Sequence, residues 1–147
     1  METAGCVNLT LAGGLRFKID FGSEGALVTD ASPPLGTGAG PDSEQLLVAA
    51  VANCLAASLA VSLRKYKNNE VPMNVSAIAS VSRNDQGRQR MVGVSVDIRL
   101  GAAAGDIRFL DRSLAQFEDF CVVTQSVRGA IPVEVRIFDV AGALLTA

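Results

Sequence analysis

Cys6, Cys54 and Cys121 are the obvious reactive groups of this 147-residue chain, which contains no histidine. Without an imidazole, Ser-His-Asp and Cys-His catalysis, His-ligated zinc and His-ligated haem are excluded. A cysteine reacts as its thiolate, which a nearby cation or a helix N-terminus stabilises. Cys54 lies among alanines in a helical stretch, and composition alone reads it as a buried structural thiol. Cys121 follows Phe117-Glu118-Asp119-Phe120 and is expected in the first turn of a short helix, where unpaired N–H groups favour a thiolate. Cys6, near the terminus and an expected edge strand, reads as structural or incidental. An odd, sparse set of cysteines fits a reducing compartment better than a disulfide framework.

The elements that must position these thiols come next. Apolar residues make up 49% of the chain and charged ones 19%, so one sizeable core is expected in a single domain over residues 1–147. Aromatics are only 5%, with Tyr66 the sole tyrosine and no Trp, so that core must be aliphatic. A net charge of −2 without a basic run argues against a nucleic-acid partner. Met1-Glu2-Thr3-Ala4-Gly5 has neither a basic nor an apolar leader character, and a cytoplasmic location is expected.

Val7, Leu9 and Leu11 alternate before Gly13-Gly14 turns the chain. Leu15, Phe17, Ile19 and Phe21 then continue on one face, and a Gly22–Gly25 turn leads into Ala26–Thr29. This pattern predicts three antiparallel strands. Residues 30–42, rich in Pro and Gly, form a loop. Asp42 with Gln45 three residues on makes a capping box, and Glu44 suits the first turn of a helix running to about Lys65–Asn68. Val71–Arg83 and Val92–Leu100 read as strands around an Asn84–Gly87 turn. A helix is expected from about Ala104 to Phe117, and a second, short one from near Asp119 until Gly129 stops it. A last strand spans Pro132–Val140. The order βββ-α-ββ-α-α-β is an α+β pattern of antiparallel sheet packed on helices.

Leu46–Leu63 holds 18 residues without a charge, a length that permits a membrane span. Asn53, Ser58, Ser62 and many alanines instead favour the buried central helix of a soluble protein, with no membrane involved. Ala49, Asn53 and Ala57 form one stripe of small residues, and Ala50, Cys54 and Ser58 a second. Such stripes let another helix backbone approach closely. A helix apolar all round must be buried all round, which in so short a chain implies a homodimer with paired central helices.

GPDSEQLLVAAVANCLAASL (residues 40–59) resembles the helix of the OsmC/Ohr family, with an acidic residue, Glu44, ten positions before a cysteine, Cys54. FCVVTQSVRGAIPVEV (residues 120–135) is similar to the second family motif, a Cys-x-x-Ser/Thr at a helix start followed by a strand. The order of elements also matches over almost the whole chain. DASPPLG and FEDFC look more like the OsmC-like branch than like typical OsmC or Ohr proteins. The resemblance implies an OsmC-like fold: antiparallel sheets around long central helices in an intertwined homodimer, with the active site near the subunit interface. It also implies a thiol peroxidase that reduces organic hydroperoxides in oxidative-stress defence. Cys54 would attack the peroxide and become a sulfenic acid. Cys121 would condense with it to a disulfide, and an external dithiol, in Ohr-type members a lipoylated protein, would reduce that bond. Glu44 and an arginine complete the implied site, and neither a metal nor another cofactor is needed.

Ten residues along one helix separate Glu44 from Cys54 by about 15 Å. Either antiparallel helices crossing near Ala49 bring the two together between subunits, or a break folds Glu44 back; otherwise Glu44 simply compensates the helix dipole. The family arginine lies in Gly-Gly-Arg-x-Gly, whereas this chain reads Gly13-Gly14-Leu15-Arg16-Phe17, one position late. A one-residue shift in a strand reverses the face. Arg16 is therefore expected with Lys18 and Asp20, opposite the Leu15–Phe21 face, unless a bulge after Gly14 restores it. Phe17, Phe117 and Phe120 are candidates to line an apolar pocket. A second function fits a displaced arginine: a non-catalytic OsmC-like dimer that binds an apolar or acyl ligand or serves as a thiol redox sensor.

Overall fold

The alternating residues at the start of the chain form a meander of β1 (Asn8–Gly13), β2 (Arg16–Asp20) and β3 (Ala26–Thr29), paired antiparallel in that order. The computed structural model describes residues 1–3 and 5–146, and its chain divides into two units, Met1–Leu46 and Leu47–Ala147. In the first unit Gly13 and Gly14 take φ angles of 123° and 59°, which L side chains rarely adopt. Leu11 faces Phe17 but Gly13 faces Arg16, so Ala12 is an extra residue and a β-bulge precedes the turn. The turn falls on Gly14 and Leu15 instead of Gly13 and Gly14, which corrects the expected pattern. Leu15 stays in the turn, 47% exposed, instead of joining a core face. Ile19 is buried and Phe17 half-buried, while Arg16 is half-buried and Lys18 exposed.

The Pro/Gly loop that follows is organised by one carboxylate. Asp30, only 4% exposed, accepts from the N–H groups of Ala31 (2.8 Å), Thr37 (3.0 Å) and Ala39 (3.2 Å) and from the Thr37 hydroxyl (2.7 Å). A Cβ on Gly36 would stand 2.5 Å from the Asp30 carboxylate, so only glycine lets the loop close this tightly.

α1 (Ser43–Lys65) begins with the expected capping box. The Asp42 N–H donates to Gln45 Oε1 at 3.0 Å, and the Gln45 N–H donates to Asp42 Oδ1 at 2.8 Å. Within the second unit, Val51, Leu55, Leu59 and Leu63 recur every fourth residue and form a buried row. Each contributes roughly 1.5–3 kcal/mol through burial. They share the core with Val94, Val96, Ile98, Leu100, Phe117 and Ile137. The opposite face, Ala49, Ala50, Asn53, Ala57 and Val61, is exposed. Burial all round is therefore not achieved within one chain, because the core supplies cover for one face only. By length and composition α1 could cross a membrane, yet its row of large side chains lies in this core.

β4 (Met73–Arg83) and β5 (Gln89–Leu100) form a long antiparallel hairpin, and β6 (Val133–Phe138) completes a sheet of order β4-β5-β6. At the hairpin tip the Asn84 side chain accepts from the N–H groups of Gln86 and Arg88, each at 3.0 Å. Residues 80–90 are exposed throughout. β6 runs parallel to β5, so the expectation of purely antiparallel sheets holds for β1–β5 but not for the last strand. The long connection from residue 101 to 132 makes this possible, since a parallel return needs a crossover of at least a dozen residues.

The helix expected over Ala104–Phe117 is broken into a 3₁₀ turn (Ala104–Asp106), α2 (Leu110–Gln116) and a second 3₁₀ turn (Phe117–Phe120), followed by α3 (Val122–Val127). The break has a specific cause. Asn68 accepts from the Arg108 N–H at 2.8 Å and donates to the Arg108 carbonyl at 3.0 Å, taking both backbone groups that a helix would use. Phe109 then adopts φ 51°, left-handed, before α2 starts.

Candidate active site

Cys54 sits halfway along α1 on the flank of the buried row, half-exposed, and packs against the core cluster that contains Cys121. Cys121 is fully buried. It is the N-cap residue of α3 rather than a member of its first turn, because the 3₁₀ turn before it runs on to Phe120. Its backbone is fixed at both ends. The Cys121 N–H donates to the Glu118 carbonyl at 3.1 Å, and its own carbonyl accepts from the Gln125 N–H at 2.9 Å. Burial pushes the Cys121 thiol above its ordinary pKa, neighbouring Cys54 raises it further, and Thr124 opposes both. The Cys121 thiol donates to Thr124 Oγ1 at 2.9 Å. All three cysteines are free thiols.

Cys54 opens into an apolar hollow of about 430 Å³ whose walls include Ala57, Val61, Phe120 and the stem of Lys65. Of the phenylalanines singled out from the sequence, Phe120 lines this hollow at 73% exposure and Phe117 is wholly core. Phe17 lies half-buried on β2 in the other unit. The turn that carries Cys121 is braced by an ion pair absent from the sequence reading. Arg128, just past α3, pairs with Glu118 and also donates to the Val133 carbonyl at 3.2 Å. Charge alternation gives no hint of this pair, which spans ten residues through a 3₁₀ turn and a short helix.

Glu44 is exposed in the first turn of α1, ten residues before Cys54 on the same continuous helix. Arg16 donates from Nη2 to the Thr37 hydroxyl at 3.1 Å, and that hydroxyl donates in turn to Asp30. Its Nε is buried without a partner among the described residues. Gly13, Gly14, Gly36 and Thr37 surround it in a hollow of about 430 Å³. The Asp30 carboxyl is held down at about 2 by the Thr37 hydroxyl first and the Ala39 N–H next. Cys6 is exposed. Asp30 and Thr37 went unnoticed in the sequence, where an Asp opening a Gly/Pro loop was the available signal.

The sequence profile of the OsmC-like protein family matches residues 36–136. Among solved structures, the chain is similar to an OsmC-like protein of unknown function from Vibrio cholerae, with a TM-score of 0.73 and 17% identity over 93% of this chain and 100% of that one. It is also similar to the organic hydroperoxide resistance protein OsmC from Legionella pneumophila, with a TM-score of 0.69 and 16% identity over 92% and 98% of the two chains. The organic hydroperoxide resistance protein OhrB of Bacillus subtilis gives a TM-score of 0.66 at 20% identity, over 90% and 97%. Among curated proteins no match is found.

Proposed function

The chain belongs to the OsmC-like protein family, and from that premise we propose that it is a thiol-dependent peroxidase acting on organic hydroperoxides. One observation carries this reading: a buried Cys121 thiol beside Cys54, which opens into an apolar hollow. The Cys54 thiolate attacks the peroxide ROOH, the O–O bond breaks, and Cys54 sulfenic acid and the alcohol ROH result once the alkoxide takes a proton. The Cys121 sulfur then displaces the sulfenic oxygen, which leaves as water, and an S–S bond forms. An external dithiol, such as a lipoylated protein, returns both thiols by exchange and becomes a disulfide itself. The apolar walls favour an alkyl hydroperoxide over hydrogen peroxide.

In this reading Glu44 and Arg16 assist Cys54 between subunits of a cytoplasmic homodimer of single OsmC-like domains, each chain contributing the open stripe of α1. The test mixes reduced protein with tert-butyl hydroperoxide or hydrogen peroxide and counts free thiols with time. Wild type should lose two thiols per chain, faster with the organic peroxide, and Cys121→Ser should stop at a sulfenic acid. Peroxide consumption by Cys54→Ser at the wild-type rate would sink the proposal.

A second reading, a non-catalytic dimer that holds an apolar ligand or serves as a stoichiometric thiol sensor, is favoured by the full burial of Cys121, which opposes its ionisation. Sustained turnover with a dithiol removes it.

A further inference from the structure

Thr124 occupies a place where valine would fit by shape. It is fully buried, in α3, next to Cys121 and the apolar cluster. A buried hydroxyl is costly unless it is hydrogen-bonded. Among the described residues, the partner of this hydroxyl is the Cys121 sulfur, at 2.9 Å.

We propose that Thr124 is the residue that supports Cys121 in forming the disulfide: its hydroxyl accepts from the resting thiol and, turned about its C–O bond, donates to the sulfur once the thiol ionises. The inference rests on the peroxidase reading for its place in the cycle, but not for its chemistry. In the step concerned, the Cys121 sulfur attacks the sulfur of Cys54 sulfenic acid. The S–S bond forms, the S–O bond breaks, and the leaving hydroxide takes up the proton given by the Cys121 thiol, so that water departs. Thr124 keeps its own proton throughout.

The surroundings leave this task to Thr124. Cys54 on α1 is the titratable group that acts on Cys121, and it works against ionisation. Glu118 is engaged by Arg128, and the Gln125 side-chain amide donates to the Glu118 carbonyl at 2.9 Å. The Thr124 contacts act in the opposite sense to burial and to Cys54.

The test uses the chain with Cys6→Ser, Cys54→Ser and Tyr66→Phe, in which Cys121 is the one remaining thiol and no phenol interferes. Thiolate absorbance in the ultraviolet is followed against pH. A hydrogen bond to a charged group predicts that Thr124→Val moves the midpoint up by about one to two pH units. Thr124→Ser should restore it, and Thr124→Ala repeats the measurement if valine disturbs folding. With all cysteines present, disulfide formation after one addition of tert-butyl hydroperoxide should slow about tenfold in Thr124→Val and recover in Thr124→Ser. Coincident midpoints for Thr124→Val, Thr124→Ala and the parent would overturn the assignment, as would a serine variant that titrates like valine. Failure of the peroxidase reading looks different: peroxide leaves the wild-type thiols untouched while the Thr124-dependent midpoint shift remains and still supports the hydrogen-bonding role.

Discussion

Replacing Arg128 with methionine should loosen the Cys121 turn more than it destabilises the molecule. The guanidinium makes two contacts, an ion pair with Glu118 and a hydrogen bond to the Val133 carbonyl. Both charged side chains keep about a third of their exposure, 29% and 31%, so the pair belongs near the surface range of roughly 0–1 kcal/mol, not the 3–5 kcal/mol of a broken buried pair. The carbonyl contact adds about 0.5–1.5 kcal/mol. Arg128→Met should therefore cost about 1–2 kcal/mol in urea denaturation. A double-mutant cycle with Glu118→Gln isolates the pair itself, which should be worth under about 1 kcal/mol and shrink as salt is added. The local effect is the sharper one. The Cys121 and Gln125 amides, bonded to Glu118 and Cys121, should exchange hydrogen faster by more than the global loss explains. A coupling of zero, together with unchanged exchange at these two amides, would refute the idea that the pair braces the turn.

Two further perturbations test other parts of the structure. The Asp30 carboxyl is depressed from 3.8 to about 2, so its contribution to stability is complete above the ordinary carboxylate value and is lost as pH falls from 3.8 towards 2. Asp30→Asn should be less stable than wild type at neutral pH and show a shallower acid slope in urea midpoints; parallel slopes would remove Asp30 as the cause. Ser113, fully buried, has an Oγ without a partner among the described residues. Ser113→Ala should raise stability by about 1 kcal/mol and the melting temperature by roughly 2–4 °C, and a lower melting temperature would show that the hydroxyl is satisfied after all.

Local signals carried the reading of the sequence furthest. The Asp42–Gln45 box starts α1 where expected, because both partners lie within one turn. Alternation located the meander and the β4–β5 hairpin. What stayed hidden depends on distant residues. Asn68 breaks the expected helix at Arg108, forty positions away, and no periodicity within the helix announces it. The parallel pairing of β6 is a matter of which strand edge the chain returns to, not of its own residues. At the site, the motifs singled out Cys54 and Cys121, whereas their proximity depends on α1 and α3 packing into one core. Arg16 shows the same limit. Strict alternation groups it with Lys18 and Asp20, but its hydrogen bond to Thr37 depends on a loop twenty-one residues on, which alternation cannot reach.

The Asn68–Arg108 clamp also makes the β4–β5 hairpin an outrigger. The chain leaves for the hairpin after Asn68 and is tied to the same residue when it returns at Arg108. Beyond Ala79 and Met91 the two strands are exposed, so the ribbon projects by about four residues, or about 13 Å. Sequence inserted between Asp85 and Gln86 would lengthen a loop whose base is already closed, at little entropic cost. The tip is thus the natural attachment point for a fluorophore or an affinity tag.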